Sequence, residues 1–164
     1  MPCETKKKII AVMGTSTPDA ELFEMAKEVG LLLAKKGAVI VCGGKGGVME
    51  AVCLGASAAG GISVGILPGA HDEPNAYVTI PIRTTLGEAR NAIIASACEV
   101  AIAIGGGFGT LSEIGLALRM GKTVVGLRTW EAFDHEGAPL PVFRAESPSE
   151  AVERALSLCS GVKS

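Results

Sequence analysis

Short apolar runs alternate with longer amphipathic stretches along this chain. Five of the runs are almost entirely apolar, which is typical of strands that are buried on both faces of a sheet. A further segment, 77–83, has an extended pattern but contains Pro81, so it predicts an edge strand or an extended segment. The five buried strands are predicted at 9–13, 38–42, 63–67, 100–104 and 123–127.

The amphipathic stretches predict helices, and glycine or proline marks most of their ends. Pro18 stands at the first helical position of the first helix, with Thr17 as the predicted N-cap, and Gly37 ends that helix. The segment from Ser147 to Glu150 predicts a capping box for the last helix, which should run to Ser160. The other helices are predicted from the glycine cluster 43–47 to Ala59, at 86–97 and at 110–120.

This alternation predicts an α/β fold: a single Rossmann-like domain with a doubly wound, mostly parallel sheet and helices on both faces. The 164 residues suit one domain, and no composition shift suggests a linker, so we expect 1–164 to form one nucleotide- or phosphate-binding unit. Sheets of this kind bind ligands outside the carboxyl ends of their strands. The glycine clusters of this chain fall at those ends.

Composition narrows the classes of partner and compartment. The chain has 17 acidic and 15 basic residues, a balance that argues against a nucleic-acid partner. The basic lead 1–8 lacks an apolar signal segment, and no apolar run approaches the roughly 18 residues of a membrane span, so we expect a cytoplasmic protein with no membrane partner. The cysteines are odd in number and unpaired in spacing, which favours buried free thiols in a reducing compartment. They are Cys3, Cys42, Cys53, Cys98 and Cys159.

A glycine-rich loop joins the predicted strand 100–104 to the next helix. Glycines let the backbone approach an oxyanion closely, and the free amides and positive dipole end of the following helix attract phosphate. The loop lacks the Gly-Lys-Ser/Thr of a Walker A motif and does not match the dinucleotide fingerprint well. We therefore expect a phosphate-binding loop formed by Gly105, Gly106, Gly107, Phe108, Gly109 and Thr110.

Two other loops point to the same edge of the sheet. Gly43, Gly44, Gly46 and Gly47 follow a second strand and open a second helix, and Lys45 between them is either a phosphate ligand or a solvated loop lysine. The first strand is followed by three further candidate ligand-binding residues, Gly14, Thr15 and Ser16.

Arg90 and Glu113 are the sharpest pair of candidate residues. Counting about 1.5 Å per helical residue and about 3.3 Å per strand residue places both side chains near the carboxyl edge. Two other interpretations stay open: Thr110 and Glu113 have the spacing of a capping box, and Arg90 suits a surface arginine paired with Glu88 or another carboxylate.

The segments containing these residues resemble the LOG-type phosphoribohydrolases, which are also described as lysine-decarboxylase-like and DprA-related. The resemblance rests on 88–91 and 105–113, with support from 43–49 and 60–68, and it covers about 9–128. It implies that Arg90 and Glu113 are catalytic residues, if the protein is a hydrolase, for cleavage of the N-glycosidic bond of a nucleoside 5′-monophosphate. It also implies that the glycine loop holds the phosphate.

Two departures bring the chain closer to the molybdenum-cofactor carrier branch of that superfamily. Asn91 stands where the enzymes have lysine, and Gly105 stands where their loop opens with proline. Carriers bind without cleaving, and the molybdenum cofactor is a pterin with a terminal phosphate. We therefore expect a binding or carrier protein for a small phosphorylated, nucleotide-like ligand, with this cofactor as a candidate cargo and the phosphoribohydrolase as the alternative.

The remaining candidates predict little chemistry. His71 and His135 have no ligand-spaced companions, so no metal site is predicted. Trp130 is expected to cover apolar surface rather than to stack on a base. The helices at 86–97 and 110–120 carry more apolar side chains than one sheet face can bury, which predicts a homodimer or homotetramer, as the resemblance also implies.

Overall fold

A computed structural model describes residues 6–159 of the chain. Its centre is a seven-stranded sheet in which each strand pairs in parallel with its neighbours, in the order β4-β3-β2-β1-β5-β6-β7. The strands are β1 (Ile9–Gly14), β2 (Val39–Cys42), β3 (Ile62–Leu67), β4 (Ile80–Arg83), β5 (Val100–Ile104), β6 (Thr123–Leu127) and β7 (Val142–Ala145).

Four α-helices lie between these strands, and a fifth follows β7. A 3₁₀ turn, Gly87–Arg90, leads directly into the short third helix. The helices are α1 (Ala20–Lys35), α2 (Val48–Ala58), α3 (Asn91–Ala97), α4 (Phe108–Arg119) and α5 (Pro148–Cys159). Among the described residues, none of these helices is both long and apolar enough to cross a membrane.

The helices form a layer on each face of the sheet, and alternate residues of β1 enter the two layers. Ile10 and Val12 pack with α1, α2 and α5, whereas Ala11 and Met13 pack with α3 and α4. All five residues of β5 are buried because both faces of this central strand are covered. The predicted doubly wound α/β fold is therefore confirmed.

Several predicted element ends were wrong. The N-cap of α1 is Asp19, not Thr17, because the Asp19 carboxylate accepts a hydrogen bond from the Leu22 amide at 2.7 Å. Helix α4 begins at Phe108, two residues before Thr110, so Thr110 and Glu113 do not form the capping box that their spacing suggested.

The predicted cap of the last helix is present in altered form. The Ser147 hydroxyl accepts from the Glu150 amide at 3.2 Å, and the Glu150 carboxylate accepts from the Glu146 amide, one residue before the N-cap. The predicted helix end at Ser160, like Cys3, lies outside the described residues.

Two segments differ in kind from the prediction. The helix predicted at 86–97 is a 3₁₀ turn followed by the two turns of α3. Strand β7 was not predicted, because its four residues are an edge strand with alternating exposure rather than an apolar run. The predicted edge strand is confirmed as β4, in which Pro81 is tolerated because only one neighbour, β3, pairs with it.

Candidate functional site

A cavity of about 380 Å³ lies at the carboxyl edge of the sheet, at the point where the strand order reverses between β1 and β5. Its volume is within the range of small-molecule sites, and the crevice at such a reversal is where doubly wound sheets bind ligands. The walls come from the segment after β1, the glycine loop after β5, and the turn before α3. The lining residues are Val12, Met13, Gly14, Thr15, Ser16, Thr17, Gly43, Met49, Glu88, Arg90, Asn91, Gly107, Phe108, Gly109, Thr110 and Glu113.

The N-terminus of α4 forms one wall of this cavity. Its N-cap is Gly107, for which no side chain among the described residues supplies a capping hydrogen bond. The first intrahelical bond runs from the Leu111 amide to the Gly107 carbonyl at 3.1 Å, so the amides of 108–110 precede the helical hydrogen-bond ladder. Such amides, at the positive end of the helix dipole, are suited to bind an oxyanion.

The glycine loop is held in place from the side of β6. The Gly105 amide donates to the Leu127 carbonyl at 3.1 Å, and the Thr129 hydroxyl donates to the Gly105 carbonyl at 2.5 Å. The Trp130 indole Nε1 donates to the Gly107 carbonyl at 3.0 Å. Gly105 and Gly106 therefore support the loop without lining the cavity, whereas Gly107 and Gly109 face it.

Thr129, Trp130 and Arg144 form a brace for the loop that sequence reasoning did not find. Arg144 of β7 donates to the carbonyls of Thr129 and Trp130, at 3.2 and 2.5 Å. The signal that would have revealed the brace is the register of the sheet, since Ile104 pairs with Leu127 and the residues after both strands must then meet.

Arg90 lies at the inner wall of the cavity and is buried, with 7% of its surface exposed. Its Nη1 donates to the Ile66 carbonyl at 2.8 Å, and its Nε has no hydrogen-bond partner among the described residues. A Cβ at Gly43 would collide with the guanidinium, so glycine there lets the arginine take this position. Arg90 is therefore not the surface arginine of the alternative interpretation.

Asn91 follows Arg90 and also lines the cavity. Its Oδ1 is buried and has no hydrogen-bond partner within the part of the chain that the structure describes. A buried acceptor without a donor is costly, and a ligand that presents an N–H or O–H group would satisfy it.

Glu113 lies in the second turn of α4 and shares the cavity with Arg90, as the distance count predicted. Burial raises the pKa of the Glu113 carboxyl to about 7, the nearby Arg90 charge opposes that rise, and Glu88 adds to it. At neutral pH the carboxyl is therefore present in both its protonated and its ionised form, and it can donate or accept a proton.

The last residue of β1, Gly14, and the two residues after it, Thr15 and Ser16, line the cavity. The Thr15 hydroxyl accepts from the Thr17 amide at 3.2 Å, which shapes the turn. The Thr15 carbonyl accepts from the Val48 amide at 3.0 Å, so the first amide of α2 is already bonded to this segment.

The second glycine cluster contributes only Gly43 to the cavity lining. Gly44, Lys45, Gly46 and Gly47 are predicted site residues that the structure does not bring to this cavity. The Lys45 Nζ donates to the Glu73 carbonyl at 3.3 Å, and the Lys45 carbonyl accepts from the Asn75 side chain at 2.9 Å. Lys45 is thus held against the loop between β3 and β4.

Sequence reasoning also missed five of the lining residues. Glu88 and Thr17 are flanking polar residues. The other three are the buried Val12 and Met13 of β1 and the partly buried Met49 of α2. Within residues 6–159 no group of three or more His, Cys, Asp or Glu side chains is placed to hold a metal ion.

The fold and the cavity place this protein in the class of Rossmann-like α/β proteins with a polar site at the carboxyl edge of the sheet. The profile of the SLOG cluster4 family matches residues 7–152, and the chain belongs to that family. This finding confirms the superfamily that the motifs around Arg90 and Glu113 indicated.

Two relatives give the sequence context. An uncharacterized protein of Archaeoglobus fulgidus is 44% identical over 148 residues, which are 90% of this chain and 94% of the relative. The cytokinin riboside 5′-monophosphate phosphoribohydrolase of Mycobacterium tuberculosis is 34% identical over 141 residues, covering 76% of this chain and 73% of the enzyme.

Two solved structures are similar over nearly their whole length. The molybdenum cofactor binding protein of Rippkaea orientalis has a TM-score of 0.82 at 36% identity, covering 94% of this chain and 99% of that one. The Moco carrier protein of Chlamydomonas reinhardtii has a TM-score of 0.84 at 35% identity, covering 96% and 100%. The chain therefore has the fold of the carrier branch.

Proposed function

We propose that this protein binds and carries a small phosphorylated, nucleotide-like molecule, with the molybdenum cofactor as the leading candidate cargo. One observation carries the proposal: the buried, incompletely bonded Arg90 shares a cavity with the uncapped N-terminus of α4. The Arg90 guanidinium and the N-terminus of α4 thus both contribute positive potential to the same cavity.

The energetics of Arg90 favour an anionic ligand. A buried guanidinium is costly unless charged and polar partners surround it, and the contact of its Nη1 with one neutral carbonyl is a weak compensation. Glu113 neutralises this charge only in part, because its raised pKa of about 7 leaves a share of the carboxyl protonated at neutral pH. A phosphate would compensate the arginine and the helix amides together.

The similar structures support the carrier function. Both are described as binding or carrying the molybdenum cofactor, and each aligns over nearly the whole of its chain. The departures at Asn91 and Gly105 from the enzyme pattern favour binding over cleavage in this chain as well.

A phosphoribohydrolase is the second candidate, and the placement of Arg90 and Glu113 in one cavity favours it. In hydrolysis, Glu113 would stabilise the positive charge that builds on the ribose or would activate a water, while Arg90 would orient the substrate. The similarity to the M. tuberculosis enzyme supports this alternative.

Incubation with AMP separates the two functions. We expect no free adenine by chromatography, since a carrier binds without cleaving. Release of adenine that disappears in Glu113→Gln, while that variant keeps the circular dichroism spectrum of the wild type, would establish the hydrolase instead. Because Arg90→Ala creates a cavity and can impair folding, Glu113→Gln is the more informative variant.

Retention of the cofactor tests the cargo. Protein saturated with molybdenum cofactor and then separated from free cofactor should hold molybdenum and pterin in equal amounts. Protein that retains neither would exclude the carrier function for this cargo.

We further propose that the protein assembles as a homodimer or homotetramer through the face of α3 and β4. Ile80 and Ile82 pair with Val64 and Ile66, so they lie on the α3 side of the sheet, yet both are nearly half exposed. Exposed Leu86 and Ile93 belong to the turn and helix on that side, and a second copy would cover such a patch. Light scattering after size exclusion should show a smaller species for Ile82→Lys than for the wild type.

The thiols favour the cytoplasm as the compartment. Cys42 and Cys53 are buried and free, although their Sγ atoms are only 3.7 Å apart. Buried free cysteines are typical of proteins in reducing surroundings.

A further inference from the structure

Phe108 is a large apolar residue in an unusual position. It is the first residue of α4, it lines the cavity, and 83% of its surface is exposed. No other large apolar side chain among the described residues is exposed to that extent. An exposed aromatic ring at the edge of a polar cavity offers a surface that a second flat ring can cover.

From this position we propose that Phe108 forms a subsite for a flat heteroaromatic ring of the ligand, beside the place where its phosphate binds. The inference rests on the proposed function and specifies it further: the ligand must carry a planar ring within reach of its phosphate. Both a purine nucleotide and a phosphorylated pterin have this chemistry.

The ring of Phe108 is held by the brace behind the glycine loop. Its centroid lies 5.9 Å from that of Trp130, with the two planes inclined by 31°. Trp130 is itself fixed, because its indole donates to the Gly107 carbonyl and its backbone carbonyl accepts a hydrogen bond from Arg144. One side of Phe108 is thus positioned by an aromatic neighbour while most of its surface stays free, and a ligand that stacks there would need little reordering of the protein.

The free surface of Phe108 adjoins the anion-binding part of the cavity. The amide-bearing residues Gly109 and Thr110 follow it directly, and a Cβ at Gly107 or Gly109 would meet no described atom within 4 Å. The space beside the two glycines that flank Phe108 is therefore open.

Three ligands test the subsite. Ribose 5-phosphate has the phosphate without the ring, AMP has a purine, and a pterin phosphomonoester has the other ring. Their affinities are measured by calorimetry for the wild type, Phe108→Ala, Phe108→Tyr and Phe143→Ala. The last variant is the matched control, since Phe143 is an exposed phenylalanine of β7 that does not line the cavity.

We expect Phe108→Ala to weaken binding of at least one ring-bearing ligand by roughly tenfold, as is usual for loss of a stacking aromatic. Ribose 5-phosphate should change by less than about twofold, Phe108→Tyr should restore the lost affinity, and Phe143→Ala should match the wild type. The compound, AMP or the pterin, that loses more affinity in Phe108→Ala carries the ring that the subsite prefers.

Two results would overturn the inference alone: equal losses for all three ligands in Phe108→Ala, or a wild type that binds ribose 5-phosphate as tightly as both ring-bearing compounds. A wild type that binds none of the three would instead overturn the proposed function, and the inference with it.

Discussion

The two glycine clusters of this protein have similar sequences and opposite surroundings. Each follows a parallel strand and opens a helix whose N-cap is a glycine without a side-chain cap. At α2 the first amide is bonded to the Thr15 carbonyl, and Gly47 packs against Thr15 and Ser16. At α4 the N-cap Gly107 and the first-turn residue Gly109 face open space in the cavity.

The difference teaches that glycines before a helix have two distinct physical uses. One is to let two backbone segments pack closely, which is the arrangement around Gly47. The other is to let a ligand approach the amides, which remains possible only where no protein segment already occupies the helix end. Because both uses require glycine, the sequence alone does not distinguish them. The effects of substituting each glycine on stability and on binding do.

The largest expected effect of such a substitution is on the stability of the α2 cluster. Gly47 has a φ of +72°, and a Cβ there would come within 2.5 Å of the Thr15 carbonyl oxygen. We expect Gly47→Ala to lower the free energy of unfolding by about 2–4 kcal/mol in urea titrations, through backbone strain and the collision together. Gly46→Ala is the matched control, because Gly46 is exposed and its Cβ would touch only the Glu50 carboxylate at 4.0 Å. Equal stability of the two variants would contradict the close packing of α2 on Thr15.

The second largest effect is expected for Glu113 of α4, whose substitution should change the pH dependence of stability. The folded pKa of Glu113, about 7, lies above the ordinary carboxyl value of 4.5, so the folded state holds this proton more tightly than the unfolded state does. Stability should therefore fall as the pH rises from about 4.5 through about 7, and Glu113→Gln should remove roughly 1–3 kcal/mol of that fall. Urea midpoints measured across this range test the expectation, with Ser112→Ala as a control that leaves the carboxyl in place. Parallel curves for Glu113→Gln and the wild type would show that the carboxyl titrates normally.

Much of the fold could be predicted because each buried strand is a short apolar run bounded by glycine or proline. The five central strands were located in this way, and Arg90 and Glu113 were placed in one cavity by counting residues along helix and strand. The N-cap of α1 was wrong because Thr17 and Asp19 are both good caps, and only the path of the chain selects between them.

The rest of the site depends on distances that no local pattern encodes. Trp130 and Arg144 brace the glycine loop because β6 and β7 lie next to β5, an arrangement set by the whole sheet. The four residues of β7 escaped prediction since an edge strand needs no apolar run. In the same way, Lys45 was grouped with the glycine loops from its neighbours in sequence, whereas its partner Glu73 is 28 residues away.

The open loop at α4 should respond to substitution in binding rather than in stability. A methyl group at Gly109 would project into empty space, so Gly109→Ala should keep the urea midpoint of the wild type or raise it slightly. The same methyl group would obstruct a phosphate approaching the amides, and we expect roughly tenfold weaker binding of AMP by calorimetry. Gly46→Ala, at the other cluster, should bind AMP as the wild type does. Weaker binding of AMP by Gly46→Ala than by Gly109→Ala would show that the anion site lies at α2 rather than at α4.

The smallest expected effect is that of Lys45. Its substitution tests whether the α2 cluster contributes a positive charge to ligand binding. Its ammonium group donates to a carbonyl of the loop between β3 and β4, and the residue does not line the cavity. Lys45→Ala should therefore change the affinity for AMP by less than about twofold and the unfolding free energy by less than about 0.5 kcal/mol, as for most exposed polar positions. Because phosphate affinity that depends on a lysine contact also weakens with salt, the titration is repeated at two salt concentrations. If the lysine reaches the ligand after all, Lys45→Ala will bind AMP several-fold more weakly than the wild type at low salt, and this difference will be smaller at high salt. The α2 cluster would then belong to the ligand site.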